Sequence, residues 1–194
     1  MIYMLKSLVN NRRTDKNTTH SYLEVYELFA DRIKSSAKNV LEIGVWDCGG
    51  ILMFNDYFEN ANIYGLDIFP FERLANDIQS DLQQRNRIKL LLSTNAYDEN
   101  VIKMFLNSTI RFDMIIDDGP HTLESQIFAG KFYSKLLSDT GILVIEDIGE
   151  YEYTQKIIDE LPDNLKKATF IIDRRHVNGR YDDIMLIIDK SRIH

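Results

Sequence analysis

Val40-Leu41-Glu42-Ile43-Gly44-Val45-Trp46-Asp47-Cys48-Gly49-Gly50 is the stretch that decides the fold. A short apolar run ending in an acid reads as a buried strand. The glycines behind it let the backbone turn sharply and approach a ligand closely. Ile51, Leu52, Phe54, Asn55 and Phe58 then recur at helical spacing. Strand, glycine turn and helix make the first half of a nucleotide-binding βαβ unit. Asn62-Ile63-Tyr64-Gly65-Leu66-Asp67 supplies the second strand and delivers a carboxylate at its end. An acid about 20 residues past the turn is where such folds hold the ribose hydroxyls of a nucleoside.

The pattern continues outward on both sides. Asn10 to Thr19 is polar and aperiodic, an arm or flap. Ser21 is a candidate cap for a helix whose apolar face is Tyr22, Val25, Tyr26, Phe29 and Ile33. Pro70 is placed to start a short helix through Leu74 and Ile78, and the polar run to Asn86 reads as solvated. Further strands are expected at Ile88 to Leu92, Phe112 to Ile116, Gly141 to Ile145, Thr169 to Asp173 and Ile184 to Ile188. Helices are expected at Asp98 to Leu106, with Val101, Ile102 and Phe105 inward, at Leu123 to Leu137, and from Glu152 to before Pro162. The expected fold is therefore α/β: a doubly wound, mostly parallel seven-stranded sheet with an antiparallel last strand. An N-terminal arm and helix over 1–36 precedes one domain over 37–194.

Composition agrees with one such domain. The 194 residues are 44% hydrophobic and 27% charged, an ordinary globular balance. A formal net charge of -7 lacks the basic footprint of a nucleic-acid binder. Met1 to Val9 reads as neither signal peptide nor membrane span, so no membrane partner is expected. The single cysteine, Cys48, allows no internal disulfide and suits a reducing, cytoplasmic setting.

Ligands of such sheets sit beyond the carboxyl ends of the strands. Those ends carry Glu42 and Gly44, Asp67, Asn95, Asp117 and Asp118 with His121, and Glu146 with Asp147. Asp118, Glu146 and Asp147, on neighbouring strand ends, come within reach of one hard cation, for which oxygen ligands favour Mg²⁺ or Mn²⁺ over zinc. His121, across a Gly-Pro turn from Asp118, is within range to act as general base. Each acid also reads as a cap of the following helix, Asp117 above all, and His121 as a helix N-terminal residue. Coincidence on one edge favours the ligand reading. His20 and His176 make weaker cases, Cys48 has no relay around it, and Arg174, Arg175 and Arg180 read as a solvated loop. Trp46 stands where G-x-G-x-x-G needs its middle glycine, which argues against a dinucleotide and an oxidoreductase. A nucleoside cofactor without phosphates, S-adenosylmethionine, tolerates that residue.

Four segments carry a family resemblance: LEIGVWDCGG with NIYGLDI, FDMIIDDGPHTLESQ, GILVIEDI, and TDKNTTHSYLEVYE. The chain resembles class I S-adenosylmethionine-dependent methyltransferases, and more narrowly the metal-dependent O-methyltransferases of macrolide glycosides and rhamnosyl groups. The resemblance implies Asp118, Glu146 and Asp147 as Mg²⁺ ligands and His121 as base. It implies Glu42, Gly44, Asp67 and Asn95 around the cofactor, with Asp117 on that side too, and a flap of Thr14, Asp15, Lys16 and His20, of which Thr14 and Lys16 count as cofactor-binding. Pro120 departs from the family's Ser, Ile51 from Ser, and Asn95 from Gln. The extra N-terminal domain of larger members is not matched. The implied activity is methylation of a sugar hydroxyl, such as that of a rhamnose, on a small-molecule or glycan acceptor. A phenolic acceptor and a non-catalytic nucleoside-binding module are the rivals, and a homo-oligomer stays open.

Overall fold

The structure is a computed structural model describing residues 4–193. The elements in chain order are α1 (Leu5–Leu8), α2 (Leu23–Ala30), β1 (Asn39–Ile43), α3 (Gly49–Tyr57), β2 (Asn62–Leu66), α4 (Asn76–Gln83), β3 (Ile88–Leu91) and α5 (Glu99–Leu106). They continue with β4 (Phe112–Asp117), α6 (Leu123–Phe132), β5 (Leu137–Ile145), α7 (Tyr151–Asp159), α8 (Asp163–Lys166), β6 (Thr169–Asp173), α9 (Arg175–Asn178) and β7 (Ile184–Asp189). The strands form one seven-stranded sheet in the order β3-β2-β1-β4-β5-β7-β6. β7 runs antiparallel to both β5 and β6, as the sequence pattern predicts. By internal packing the chain divides into two compact units, Met1–Ala96 and Tyr97–His194.

In the first unit β1 pairs with β2 and β2 with β3, all parallel. The near-continuous apolar strands follow from burial on both faces: Val40, Leu41, Ile43, Ile63 and Leu66 are all buried. Tyr22, Val25, Tyr26, Phe29 and Ile33 are buried too, as their spacing requires. Ser21 does not cap that helix. Its N-cap is Tyr22, without a side-chain bond, and the Tyr22 N–H donates instead to the Lys16 carbonyl of the arm at 3.0 Å. Past Pro70 the chain makes only a 3-10 turn, Phe71–Arg73, before α4 begins at Asn76. That polar run is therefore helical rather than simply solvated. Only Ile78 and Leu82, one turn apart, face inward, too thin a stripe to register as periodicity.

In the second unit β4 and β5 are parallel and β6-β7 close the edge. β5 starts at Leu137, four residues before the expected Gly141. Its register against β4 jumps between Phe112 and Met114, a bulge. A Cβ on Gly141 would lie 2.7 Å from the Phe112 carbonyl oxygen, so the bulge needs glycine there. Val101 is half-buried, whereas Ile102 and Phe105 are buried as expected. Among the described residues no helix is long and apolar enough to cross a membrane.

Candidate active site

The glycine turn of the first unit is built from left-handed backbone. Gly44 has φ 78°, Trp46 42° and Cys48 59°. Non-glycine residues in this region cost about 1–3 kcal/mol each and persist where the surroundings over-determine them. Here the surroundings include Asp67. The N–H groups of Val45 and Trp46 donate to Asp67 Oδ2 at 2.8 and 3.3 Å, and that of Ile68 to Oδ1 at 2.7 Å. A carboxylate offers about four acceptor positions. Three are thus used, two of them tying strand β2 to the turn, and one lone pair of Oδ1 is left for a hydroxyl. Trp46 itself is 51% exposed at the tip of the turn.

Behind the turn, the carboxylate of Glu42 lies where a Gly50 side chain would be: a Cβ there would sit 2.1 Å from Glu42 Oε1. Lys16 Nζ is 3.6 Å from the same oxygen, and both side chains are only 2% exposed. The predicted flap is therefore packed down in this structure. A Cβ on Gly49 would be 2.4 Å from the Arg13 carbonyl oxygen, so the arm rests directly on the turn. Thr14 and His20 are buried with Lys16, and His20 stacks on Tyr22 with ring centroids 4.9 Å apart. Cys48, fully buried, has its thiol pushed up to about 12 by burial first and then by the charges of Glu42, Asp47 and Asp67. Such a thiol is inert at neutral pH. Asn95 is exposed in the loop after β3.

The second unit assembles the acids. One donor atom from each of Asp118, His121 and Asp147 lies within 4.8 Å of the others. His121 Nε2 is 3.7 Å from Asp118 Oδ1 and 3.5 Å from Asp147 Oδ2. Both gaps exceed the roughly 2.7–2.9 Å of a charge-assisted hydrogen bond, so the three groups face one another without closing. His121 (φ 56°) and Asp147 (φ 53°) both adopt left-handed backbone. Two strained non-glycine residues meeting at one point is the kind of outlier that marks functional sites. Two carboxylates with open positions suit a hard divalent cation, and the imidazole stands beside them.

Glu146, the third expected ligand, does not join this group. Its N–H donates to the Asp117 carbonyl at 3.0 Å, prolonging the register of β5 on β4, and its side chain is buried. Consecutive strand residues present opposite faces; the left-handed turn at Asp147 follows Glu146 and redirects only the second acid. Asp117, at the end of β4, is not a helix cap either: Thr122 caps α6, accepting from the Ser125 N–H at 3.2 Å. Asp117 is buried and accepts a hydrogen bond from the Tyr97 hydroxyl at 2.5 Å.

Tyr97 was not legible as a site residue. A Cβ on Gly119 would lie 1.9 Å from its hydroxyl oxygen, so the phenol covers the Asp118-Gly119 turn. Burial pushes the Asp117 carboxyl up to about 7, the Tyr97 hydrogen bond works against that, and the Asp118 charge adds to it. Raised above its ordinary value of 3.8, this acid favours the fold fully below that value and loses the contribution as pH rises through about 7. Tyr97→Phe removes the opposing hydrogen bond and strands a buried acceptor, at about 1–3 kcal/mol. Urea unfolding in chelator is expected to show a larger loss at pH 8 than at pH 5; an equal loss at both would contradict this account of Asp117.

The arginines of the β6–β7 connection are ion-paired with neighbours: Arg175 with Asp173 and Arg180 with Asp182, each at 2.6 Å. His176 is exposed on α9, a short helix inside what the sequence pattern presents as a loop.

The sheet order, with acids at the strand ends, makes a Rossmann-like fold. No protein-family profile matches the chain. Two curated relatives from Streptomyces olivaceus do. One is 8-demethyl-8-(2-methoxy-alpha-L-rhamnosyl)-tetracenomycin-C 3'-O-methyltransferase, 29% identical over 136 residues, covering 66% of this chain and 32% of that protein. The other is 8-demethyl-8-alpha-L-rhamnosyl tetracenomycin-C 2'-O-methyltransferase, 24% identical over 151 residues, covering 74% and 37%. The chain thus spans about a third of the length of these relatives. Among solved structures it superposes on the MycE methyltransferase of the mycinamycin biosynthetic pathway, in complex with Mg and SAH, with a TM-score of 0.73, 18% identity, and coverage of 97% of this chain and 55% of that one. It also superposes on the O-methyltransferase TomG of Streptomyces achromogenes in complex with SAM, at TM-score 0.60, 13% identity, 86% and 78% coverage. The resemblance to sugar O-methyltransferases therefore rests on sequence, and the structural likeness shows the fold.

Proposed function

We propose that the chain is an S-adenosylmethionine- and divalent-ion-dependent O-methyltransferase acting on a sugar hydroxyl, with a rhamnosyl group on a small-molecule or glycan acceptor as the favoured substrate. The observation that carries the reading is the convergence of Asp118, His121 and Asp147 at the ends of β4 and β5. Relatives named for rhamnosyl O-methylation support the acceptor class.

When bound, S-adenosylmethionine supplies the methyl group, and Mg²⁺ or Mn²⁺ supplies positive charge that favours an ionised hydroxyl. The remaining work falls to side chains. Asp118 and Asp147 would hold the ion, with the buried Glu146 next to Asp147 in the chain. His121 takes the hydroxyl proton on Nε2, the nitrogen facing both acids. Asp67 offers its remaining acceptor position to the ribose, Gly44 gives the turn its left-handed backbone, Gly50 leaves room for Glu42 behind it, and Asn95 serves the adenine. Thr14 and Lys16 hold the arm against the turn, and Asp117 with Tyr97 fixes the β4 end.

The test is transfer of a labelled methyl group to simple rhamnosides and to phenols, with Mg²⁺ and with EDTA. Transfer to a rhamnoside, abolished by EDTA and restored by Mg²⁺, is expected. Transfer to phenols alone would overturn the sugar assignment, and indifference to chelator would remove the ion.

A further inference from the structure

We infer that Gln126 is a positioning residue for the ion site, holding Asp147 in ligating orientation through its backbone. This rests on the reading of Asp118 and Asp147 as ion ligands. Gln126 lies one turn into α6, buried to 1% exposure. Its Nε2 donates to the carbonyl of Glu146 at 3.0 Å and to that of Asp147 at 3.2 Å. An oxygen in that place would face two acceptors, so the contacts fix which way the amide points. Both of its N–H donors are spent on this one peptide turn. Oε1 is buried with no hydrogen-bond partner among the described residues, so what the position retains is the donor pair.

The placement explains how a left-handed Asp147 stays put. Residues in this backbone region relax unless something external holds them. Here both flanking carbonyls are clamped by a side chain from a rigid helix. The same helix begins directly after His121, where Thr122 caps it. One helix thereby holds both loops of the candidate site: its start presents His121, and its second turn secures Asp147. A glutamine that served packing alone would not need both donors on the residue pair that supplies an ion ligand.

Outer residues that orient metal ligands typically account for about 10–100-fold in metal affinity. Mn²⁺ binding to the full chain, followed by paramagnetic resonance titration, tests the inference. Gln126→Met keeps the volume and loses both donors; Gln126→Asn keeps the amide but withdraws it by one methylene. Each is expected to weaken Mn²⁺ binding by about 10–100-fold. Phe105→Leu, a core substitution on the buried face of α5, is expected to lower thermal stability and leave Mn²⁺ affinity unchanged. Wild-type affinity in either folded Gln126 variant overturns the positioning role while the ion site stands. A wild-type chain that takes up no Mn²⁺ overturns the ion reading itself, and this inference with it.

Discussion

Replacing His121 with alanine is expected to leave S-adenosylhomocysteine binding unchanged and to lower methyl transfer to a rhamnoside by about 10²–10⁴-fold, the usual worth of a positioned general base. The two outcomes separate because His121 belongs to the second compact unit, whereas the residues assigned to the cofactor, Asp67 and the Gly44 turn, belong to the first. The imidazole is 37% exposed and its Nε2 is held off both acids by 3.5 and 3.7 Å, so it is not locked into a structural ion pair. Its left-handed backbone would be relieved rather than strained further by a change to glycine, so His121→Gly provides a folded control. Single-turnover transfer with saturating donor is the measurement. A parental rate in His121→Ala would assign the proton to another group.

The second large effect concerns the paired acids. In Asp118→Asn combined with Asp147→Asn, ion affinity is expected to fall by more than about 100-fold, beyond what loss of an orienting residue brings. Stability without ion should not fall with it. Asp118 lies beside buried Asp117 and faces Asp147 across the site, so removing like charge relieves repulsion. With the ion at 100 times the wild-type dissociation constant, wild-type protein should gain about 2.7 kcal/mol and the double variant less than about 0.4 kcal/mol. Thermal melts with and without Mg²⁺ read both terms. An ion-induced shift that survives in the double variant would place the ion elsewhere.

The strand cores and the glycine turn were legible because burial on both faces leaves a near-continuous apolar signature, as in Val40 to Ile43, broken by Glu42 alone, and Ile142 to Ile145. What escaped was set by contacts distant in sequence. α4 shows only Ile78 and Leu82 to the core, and β5 begins early because Gly141 lets a bulge form against Phe112. In the site, the position of each acid at a strand end could be read, but not which carboxylate turns inward. That depends on the left-handed conformation of Asp147, which no local pattern announces and which brings Asp147 rather than Glu146 to Asp118 and His121. Tyr97 and Gln126 were invisible for the same reason, since their bonds to Asp117 and to the Glu146-Asp147 turn span 20 and 21 residues. The arm was readable as polar but not as buried: Lys16 reaches Glu42 only because Gly49 lets Arg13 lie on the turn.

Anomalous diffraction from crystals grown with Mn²⁺ and S-adenosylhomocysteine tests the central claim most directly. The account predicts a single strong peak between the carboxylates of Asp118 and Asp147, with the His121 imidazole beside it. A map with no peak there, or with the ion bound only at other residues, would contradict it.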